Sequence, residues 1–185
     1  GRSEMWRVHL GCLLTTQQRS GAGSPVDRLI NVTPFPISLD RCVAASSASD
    51  FIQSTLQDWG GIRFSQKIGR LAASNLEWFE TGGWTQLESL VSSLEGGVGR
   101  DEERHAARWL ARTIKGLGPK QSRNFLQWLG LTKYEIPLDS RVARWLSDFG
   151  FPIQSSGGAL SDPAYYELVL DAVQEFCTAA GIVPC

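Results

Sequence analysis

The chain has 185 residues, a net charge of −1 and 42% hydrophobic residues, which is typical of a folded globular protein rather than a disordered or fibrous one. It contains no apolar run of the roughly 18 residues that a membrane-spanning helix needs, and its first residues lack the cleavage pattern of a signal peptide. The four cysteines, Cys12, Cys42, Cys177 and Cys185, form no CxxC pair. This spacing argues against a zinc site or an iron–sulfur cluster and favours reduced thiols.

Apolar residues recur at helical spacing along most of the chain. In the first half we predict helices over 4–17, from Pro25 onward, over 49–59, over 64–79 and over 87–94. In the second half we predict them over 105–115, 119–129 and 140–149. A last helix is expected to begin at Asp162-Pro163, with a cap and a first-turn proline, and to end near Gly181. No segment alternates like a strand, so the sequence predicts an all-α fold.

Charge is unevenly distributed along the second half of the chain. Between residues 104 and 144 there are nine Lys or Arg and only two acids, whereas residues 145–185 contain acids but no Lys or Arg. A local basic patch of this kind suits a surface that faces phosphates. A solvated helix face is the simpler interpretation.

The stretch IKGLGPKQSRNF contains the connection between the predicted helices 105–115 and 119–129. Gly116 and Gly118 can adopt positive φ and let another molecule approach closely, and Pro119 suits the first turn of a helix. The amides of Gly116, Gly118, Lys120 and Gln121 at a helix amino end would form an anion site. We therefore predict phosphate binding here, with a plain tight turn as the simpler alternative.

Two charged residues add possible chemistry to this turn. Lys120 lies in the positive field of a helix amino end, which disfavours its ammonium form. An uncharged lysine is a nucleophile that can form a Schiff base with a sugar C1′. Further along, in IPLDSRVARWL, Asp139 begins the next predicted helix, where it can cap backbone amides. A carboxylate there can also stabilise positive charge on a deoxyribose ring, and both interpretations are open at this point.

GLGPK followed by PLDSRV resembles the helix–hairpin–helix (HhH-GPD) DNA glycosylases. The lysine that ends GxGxK is similar to that of the bifunctional glycosylase/lyases. Endonuclease III relatives carry a four-cysteine cluster that is missing here, so the 8-oxoguanine DNA glycosylases without an iron–sulfur cluster are the nearer match. LLTTQQRSG and GGIRFSQKIGRL also resemble two barrel helices of the compact members.

This resemblance implies a two-lobed all-α enzyme over residues 1–185, with the active-site cleft between the lobes. The helical barrel would span about 27–147, the hairpin motif about 105–129, and the N-terminal helix with residues 148–185 would form the second lobe. Lys120 would attack C1′, and Asp139 would assist base departure and β-elimination.

The resemblance also implies a set of binding residues. Gly116, Gly118, Gln121 and Arg141 would hold DNA phosphate, and Arg19, Arg63 and Lys67 are further phosphate candidates. Gln17 would fill the gap left by the flipped base, with a polar helix end as the simpler alternative. Phe176, Trp128 or Trp84 could stack on the extruded base, although the tryptophans of an α-protein are more often core residues. The carbonyl groups of Arg112, Ile114 and Leu117 would bind Na⁺ or K⁺, and no cofactor would be required.

The implied activity is excision of an oxidised purine, with 8-oxoguanine as the expected lesion, followed by cleavage at the abasic site. The expected partner is double-stranded DNA with a damaged base, bound by a monomer in the nucleoid of a prokaryote or the nucleus of a eukaryote. Two alternatives stay open: a glycosylase of the same fold for another modified or alkylated base, and a non-catalytic hairpin module that grips the DNA backbone.

Overall fold

The computed structural model describes residues 1–151 and 158–184, and every regular element within these ranges is helical. The all-α prediction is therefore confirmed. The described residues form α1 (Arg2–Leu14), α2 (Pro25–Asn31), α3 (Leu39–Ala44), α4 (Ala48–Trp59), α5 (Ser65–Trp78), α6 (Trp84–Leu94), α7 (Arg100–Thr113), α8 (Pro119–Trp128), α9 (Ser140–Asp148) and α10 (Pro163–Ala179). None of these helices is long and apolar enough to cross a membrane.

Helix starts follow the local signals in the sequence. Proline occupies the first turn of α2, α8 and α10, where a missing amide proton costs nothing. Asp162 caps α10 by accepting a hydrogen bond from the Tyr165 amide at 2.8 Å. The predicted starts at Pro25, Pro119 and Asp162-Pro163 are thus confirmed.

Other boundaries differ from the predictions for identifiable reasons. Helix α1 ends at Leu14 rather than residue 17, and α3 was not predicted because six residues are too few to display a helical period. Helix α7 begins at Arg100, since its first turn consists of acids (Asp101 to Glu103) that suit a helix amino end but carry no apolar pattern. Between α5 and α6 the chain turns at Gly82, whose φ is +112°.

The chain divides into two compact units, Gly1–Ser89 (unit 1) and Leu90–Cys185 (unit 2). Unit 1 is built around α1, whose Trp6 and His9 lie fully buried against Phe79. Burying aromatic side chains of this size supplies much of a core's stability. The predicted barrel limits, 27 and 147, stay a prediction.

Unit 2 has its own apolar core, in which α9 and α10 are the main elements. Its members are Leu138, Ala143, Leu146, Leu160, Tyr166, Val169, Leu170, Val173 and Cys177. Three cysteines, Cys12, Cys42 and Cys177, are buried free thiols, and Cys185 lies outside the described residues.

Candidate active site

The segment between α7 and α8 forms the predicted hairpin. After Thr113 the chain turns, and the Leu117 amide donates to the Ile114 carbonyl oxygen at 3.2 Å. Ile114 and Leu117 are both buried, so two apolar side chains anchor the turn. Gly116 has a φ of +88°, which residues with a Cβ rarely adopt. The turn itself therefore requires glycine at position 116.

Gly118 has a different reason to be glycine. Its φ of −84° and ψ of −170° are extended backbone that any residue adopts, so Gly118 does not use the positive φ that glycine allows. A Cβ built on Gly118 would meet no atom within 4 Å. Neither backbone conformation nor packing within the chain demands glycine here. The missing side chain leaves open space beside the hairpin, through which another molecule's phosphate can approach.

The amino end of α8 carries Lys120. Pro119 takes the first position, and the Ser122 amide donates to the Gly118 carbonyl oxygen at 3.0 Å. The N-cap residue Gly118 supplies no side-chain cap, and the amino end of a helix carries partial positive charge. Lys120 is partly buried in the second position. The buried side chain of Gln121 accepts a hydrogen bond from Asn124 at 2.7 Å, so its predicted phosphate contact is limited to its backbone.

Asp139 caps α9, as predicted. One carboxylate oxygen accepts hydrogen bonds from the amides of Arg141 at 2.9 Å and Val142 at 3.0 Å. Burial alone raises the pKa of Asp139, which is 20% exposed, but the hydrogen bonds from Val142 and Arg141 together bring that pKa below its ordinary value. The carboxylate is therefore ionised at neutral pH.

Arg141 covers the second oxygen of Asp139. Its guanidinium donates to that oxygen from Nε at 3.0 Å and from Nη2 at 2.8 Å. The Arg141 side chain is 82% exposed, so this ion pair is weak and readily exchanged. A phosphate that bound Arg141 would compete with Asp139 for the same guanidinium.

The backbone just before Asp139 is held by Tyr166 of α10, a residue that no sequence pattern indicated. Its buried hydroxyl donates to the Ile136 carbonyl oxygen at 2.9 Å and accepts from the Leu138 amide at 2.6 Å. Burial raises the pKa of Tyr166 above its usual value, so the hydroxyl keeps its proton and remains a donor. Tyr166 thus fixes the loop from which Asp139 projects.

Two buried carboxylates fasten the rest of this loop. Glu135 accepts hydrogen bonds from Arg123 Nε at 2.8 Å and from Arg104 Nε at 2.9 Å. Glu103 of α7 accepts from three successive backbone amides, those of Lys133 at 2.8 Å, Tyr134 at 2.8 Å and Glu135 at 3.1 Å. Because buried charges are tolerated only when they are paired and bonded, these contacts define one loop conformation.

The prediction of a basic surface over 104–144 is wrong for several of its arginines. Arg104 and Arg108 of α7 pair with Asp171 and Glu167 of α10 at 2.6 and 2.5 Å, and Arg123 binds buried Glu135. The paired arginines of α7 are four residues apart, and so are the paired acids of α10. Each pair therefore lies along one face of its helix, and the two faces contact each other. That shared spacing was the sequence signal for an internal ion-pair ladder.

Neither the scan against protein-family models nor the search of curated proteins finds a match. Among solved structures, the chain is similar to the crystal structure of the Methanocaldococcus jannaschii 8-oxoguanine DNA glycosylase. The match covers 99% of this chain and 73% of that one, with a TM-score of 0.72 and 17% sequence identity. The two proteins share a fold. The helix–hairpin–helix glycosylase fold expected from GLGPK and PLDSRV is thereby confirmed.

The remaining DNA-binding candidates belong to unit 1, whereas Lys120 and Asp139 belong to unit 2. Gln17 is exposed with a φ of +54° and lies beyond the end of α1 rather than on it. Arg19, Arg63 and Lys67 are also exposed. The contacts of these four residues with DNA stay predictions.

The three aromatic candidates for stacking on a base differ in exposure. Trp84 is buried, stacks on Phe79 with ring centroids 4.3 Å apart and donates to Glu80 at 2.8 Å. Trp84 is therefore a core residue, and the expectation that it stacks on a base is wrong in this conformation. Trp128 and Phe176 are exposed and keep that prediction.

The hairpin carbonyl groups are compatible with the predicted monovalent cation. The Ile114 carbonyl oxygen already accepts from Leu117 but retains a second lone pair. Binding of Na⁺ or K⁺ by the carbonyl oxygens of Arg112, Ile114 and Leu117 stays a prediction.

Proposed function

We propose that this chain is a base-excision-repair DNA glycosylase with β-lyase activity, acting as a monomer on double-stranded DNA that contains 8-oxoguanine. The observation that carries the proposal is the presence, in one compact unit, of a lysine at the amino end of α8 and an ionised aspartate at the amino end of α9. The fold shared with the archaeal 8-oxoguanine enzyme supports it. A hairpin that only gripped phosphate would need neither side chain.

The hairpin would hold the DNA backbone while the damaged nucleotide is extruded. Open space at Gly118 and the positive end of α8 suit a phosphate group. Extrusion costs a few kcal/mol of unstacking, least at a lesion or mismatch. Phosphate contacts at a fixed hairpin would offset part of that cost and bring C1′ toward Lys120.

The chemistry then follows that of the enzymes this chain resembles. The uncharged Lys120 amine attacks C1′, and the bond from C1′ to the base breaks, with the electron pair leaving on the base. The amine loses a proton and the sugar ring opens, which gives a Schiff base between Lys120 and C1′. Loss of a C2′ proton expels the 3′ phosphate, which cuts the strand, and water releases the lysine. Asp139 would stabilise the positive charge that grows on the sugar as the base departs.

Borohydride trapping tests the lyase step. Wild-type protein incubated with an 8-oxoguanine duplex and sodium borohydride should form a covalent protein–DNA adduct, because borohydride reduces the Schiff base. Lys120→Gln should form none, whereas Lys133→Gln, which changes an exposed lysine of the same unit, should match wild type. An adduct of undiminished yield with Lys120→Gln, or no adduct with wild type, would refute the lyase assignment.

A panel of lesion duplexes tests the choice of base. The panel contains 8-oxoguanine opposite each normal base, alkylated purines, uracil and a preformed abasic site. Release of 8-oxoguanine supports the proposal, and release of another base alone identifies a glycosylase of different specificity. Salt-dependent binding without release of any base would identify a non-catalytic module.

A further inference from the structure

One face of α9 exposes two large aromatic rings. Trp145 is 53% exposed and Phe149, directly after the helix, is 69% exposed, and their ring centroids lie 5.2 Å apart. On the opposite side of α9, Ala143 and Leu146 are buried in the core of unit 2. The buried residues already anchor the helix, so packing does not account for the exposed rings. Paired exposed aromatics of this kind mark an interaction surface.

The same face carries two arginines, Arg141 and Arg144, and one exposed acid, Asp148. Arg141 is 82% exposed, and Arg144, also exposed, makes no ion pair with any residue that the structure describes. Cations beside aromatic rings match the two parts of a nucleic-acid strand, since arginine binds phosphate and the rings stack on bases. We call Arg141, Arg144, Trp145 and Phe149 the α9 face.

The α9 face begins at the candidate active site. Asp139 caps α9, and a helix rises about 1.5 Å per residue, which puts Trp145 about 9 Å and Phe149 about 15 Å along the axis from Asp139. A stacked strand rises about 3.4 Å per nucleotide. The rings therefore lie about three to four nucleotides from a nucleotide held at Asp139.

We propose that the α9 face binds an unpaired segment of the DNA strand next to the damaged nucleotide, with bases stacked on Trp145 and Phe149 and a phosphate held by Arg144. This inference rests on the proposed function for its choice of DNA as the partner. Bases in an intact duplex are stacked on each other and cannot use the rings. The preferred double-stranded substrate is accordingly one whose strand is unpaired beside the lesion, as in a bubble or a frayed end.

Fluorescence anisotropy with an unmodified, fluorescein-labelled single-stranded 15-mer tests the surface directly. Trp145→Ala and Phe149→Ala should each weaken binding about five- to a hundredfold, the usual effect of losing one stacked base. Trp145→Phe should keep most of the affinity. Leu168→Ala is the matched control, because Leu168 is an apolar residue on α10 with 57% exposure. Arg144→Gln should reduce the slope of log Kd against log salt by about 0.7.

Three results would overturn the proposal: no binding of the 15-mer by wild type, equal affinity of wild type and Trp145→Ala, or equal weakening by Leu168→Ala. A wild-type dimer in sedimentation that Trp145→Ala converts to a monomer would also overturn it, by assigning the α9 face to a second copy. Because the 15-mer contains no lesion, failure of the glycosylase proposal shows in the lesion panel instead. The two outcomes are thus distinguishable.

Discussion

A substitution at Asp139 distinguishes two roles of its carboxylate, a structural helix cap and a catalytic group. Asp139→Asn keeps a side-chain oxygen for the amides of Arg141 and Val142 but removes the negative charge. Asn and Asp cap helices about equally well, and the exposed ion pair with Arg141 contributes at most about 1 kcal/mol. The free energy of unfolding should therefore fall by no more than about 1 kcal/mol. The rate of base excision should fall about 10²- to 10³-fold, the usual effect of losing one preorganised electrostatic contact.

Asp162 supplies the matched control for this experiment. It caps α10 through the Tyr165 amide in the same unit, so Asp162→Asn makes the same chemical change at a helix start without a proposed role in catalysis. Urea titration measures stability, and single-turnover kinetics on an 8-oxoguanine duplex measures excision. If Asp139→Asn excises as fast as wild type, or if Asp162→Asn slows excision equally, Asp139 is only a cap.

Two further predictions concern the hairpin and the buried histidine. Gly118→Ala should leave stability unchanged, because its Cβ meets open space, yet weaken binding of duplex DNA in an anisotropy titration. Gly116→Ala should cost about 1–2 kcal/mol at its φ of +88°, and equal stability of the two variants would contradict the distinction. Burial lowers the pKa of His9 to about 3 in the folded protein, whereas the pKa of His9 in the unfolded chain is near 6.5. The free energy of unfolding is therefore greatest above pH 6.5. It falls as the pH falls, by about 2 kcal/mol at pH 5, because only the unfolded chain protonates His9. Urea titrations at pH 7.5 and 5 measure the loss, and an unchanged pH dependence in His9→Gln would exclude His9 as its source.

Features that depend on neighbours in sequence were predictable. The hairpin, the proline-led start of α8 and the Asp139 cap each rest on a few adjacent residues whose backbone preferences are strong. Gly116 shows the same logic, since its positive φ is a local requirement of the turn. The open space beside Gly118 could not be predicted in this way, because it depends on where the rest of the chain lies.

Features that depend on distant partners were not predictable from one sequence. Arg104 and Arg123 looked like surface cations until the fold brought Glu135 between them. Trp84 is of a residue type that can stack on bases, but its ring packs against Phe79. Tyr166 is far from Leu138 in the sequence, and the residues beside Tyr166 give no indication of the hydrogen bond between them.

The link between Tyr166 and the loop before Asp139 bears on the order in which the site is completed during synthesis. A nascent chain that has reached Asp148 already contains the hairpin, Lys120 and Asp139, but it lacks the hydroxyl that bonds Ile136 and Leu138. Helix α10 leaves the ribosome afterwards and brings that hydroxyl, together with the acids that neutralise α7. The loop that carries Asp139 therefore gains these hydrogen bonds only after α10, which follows α9 in the chain, has been translated.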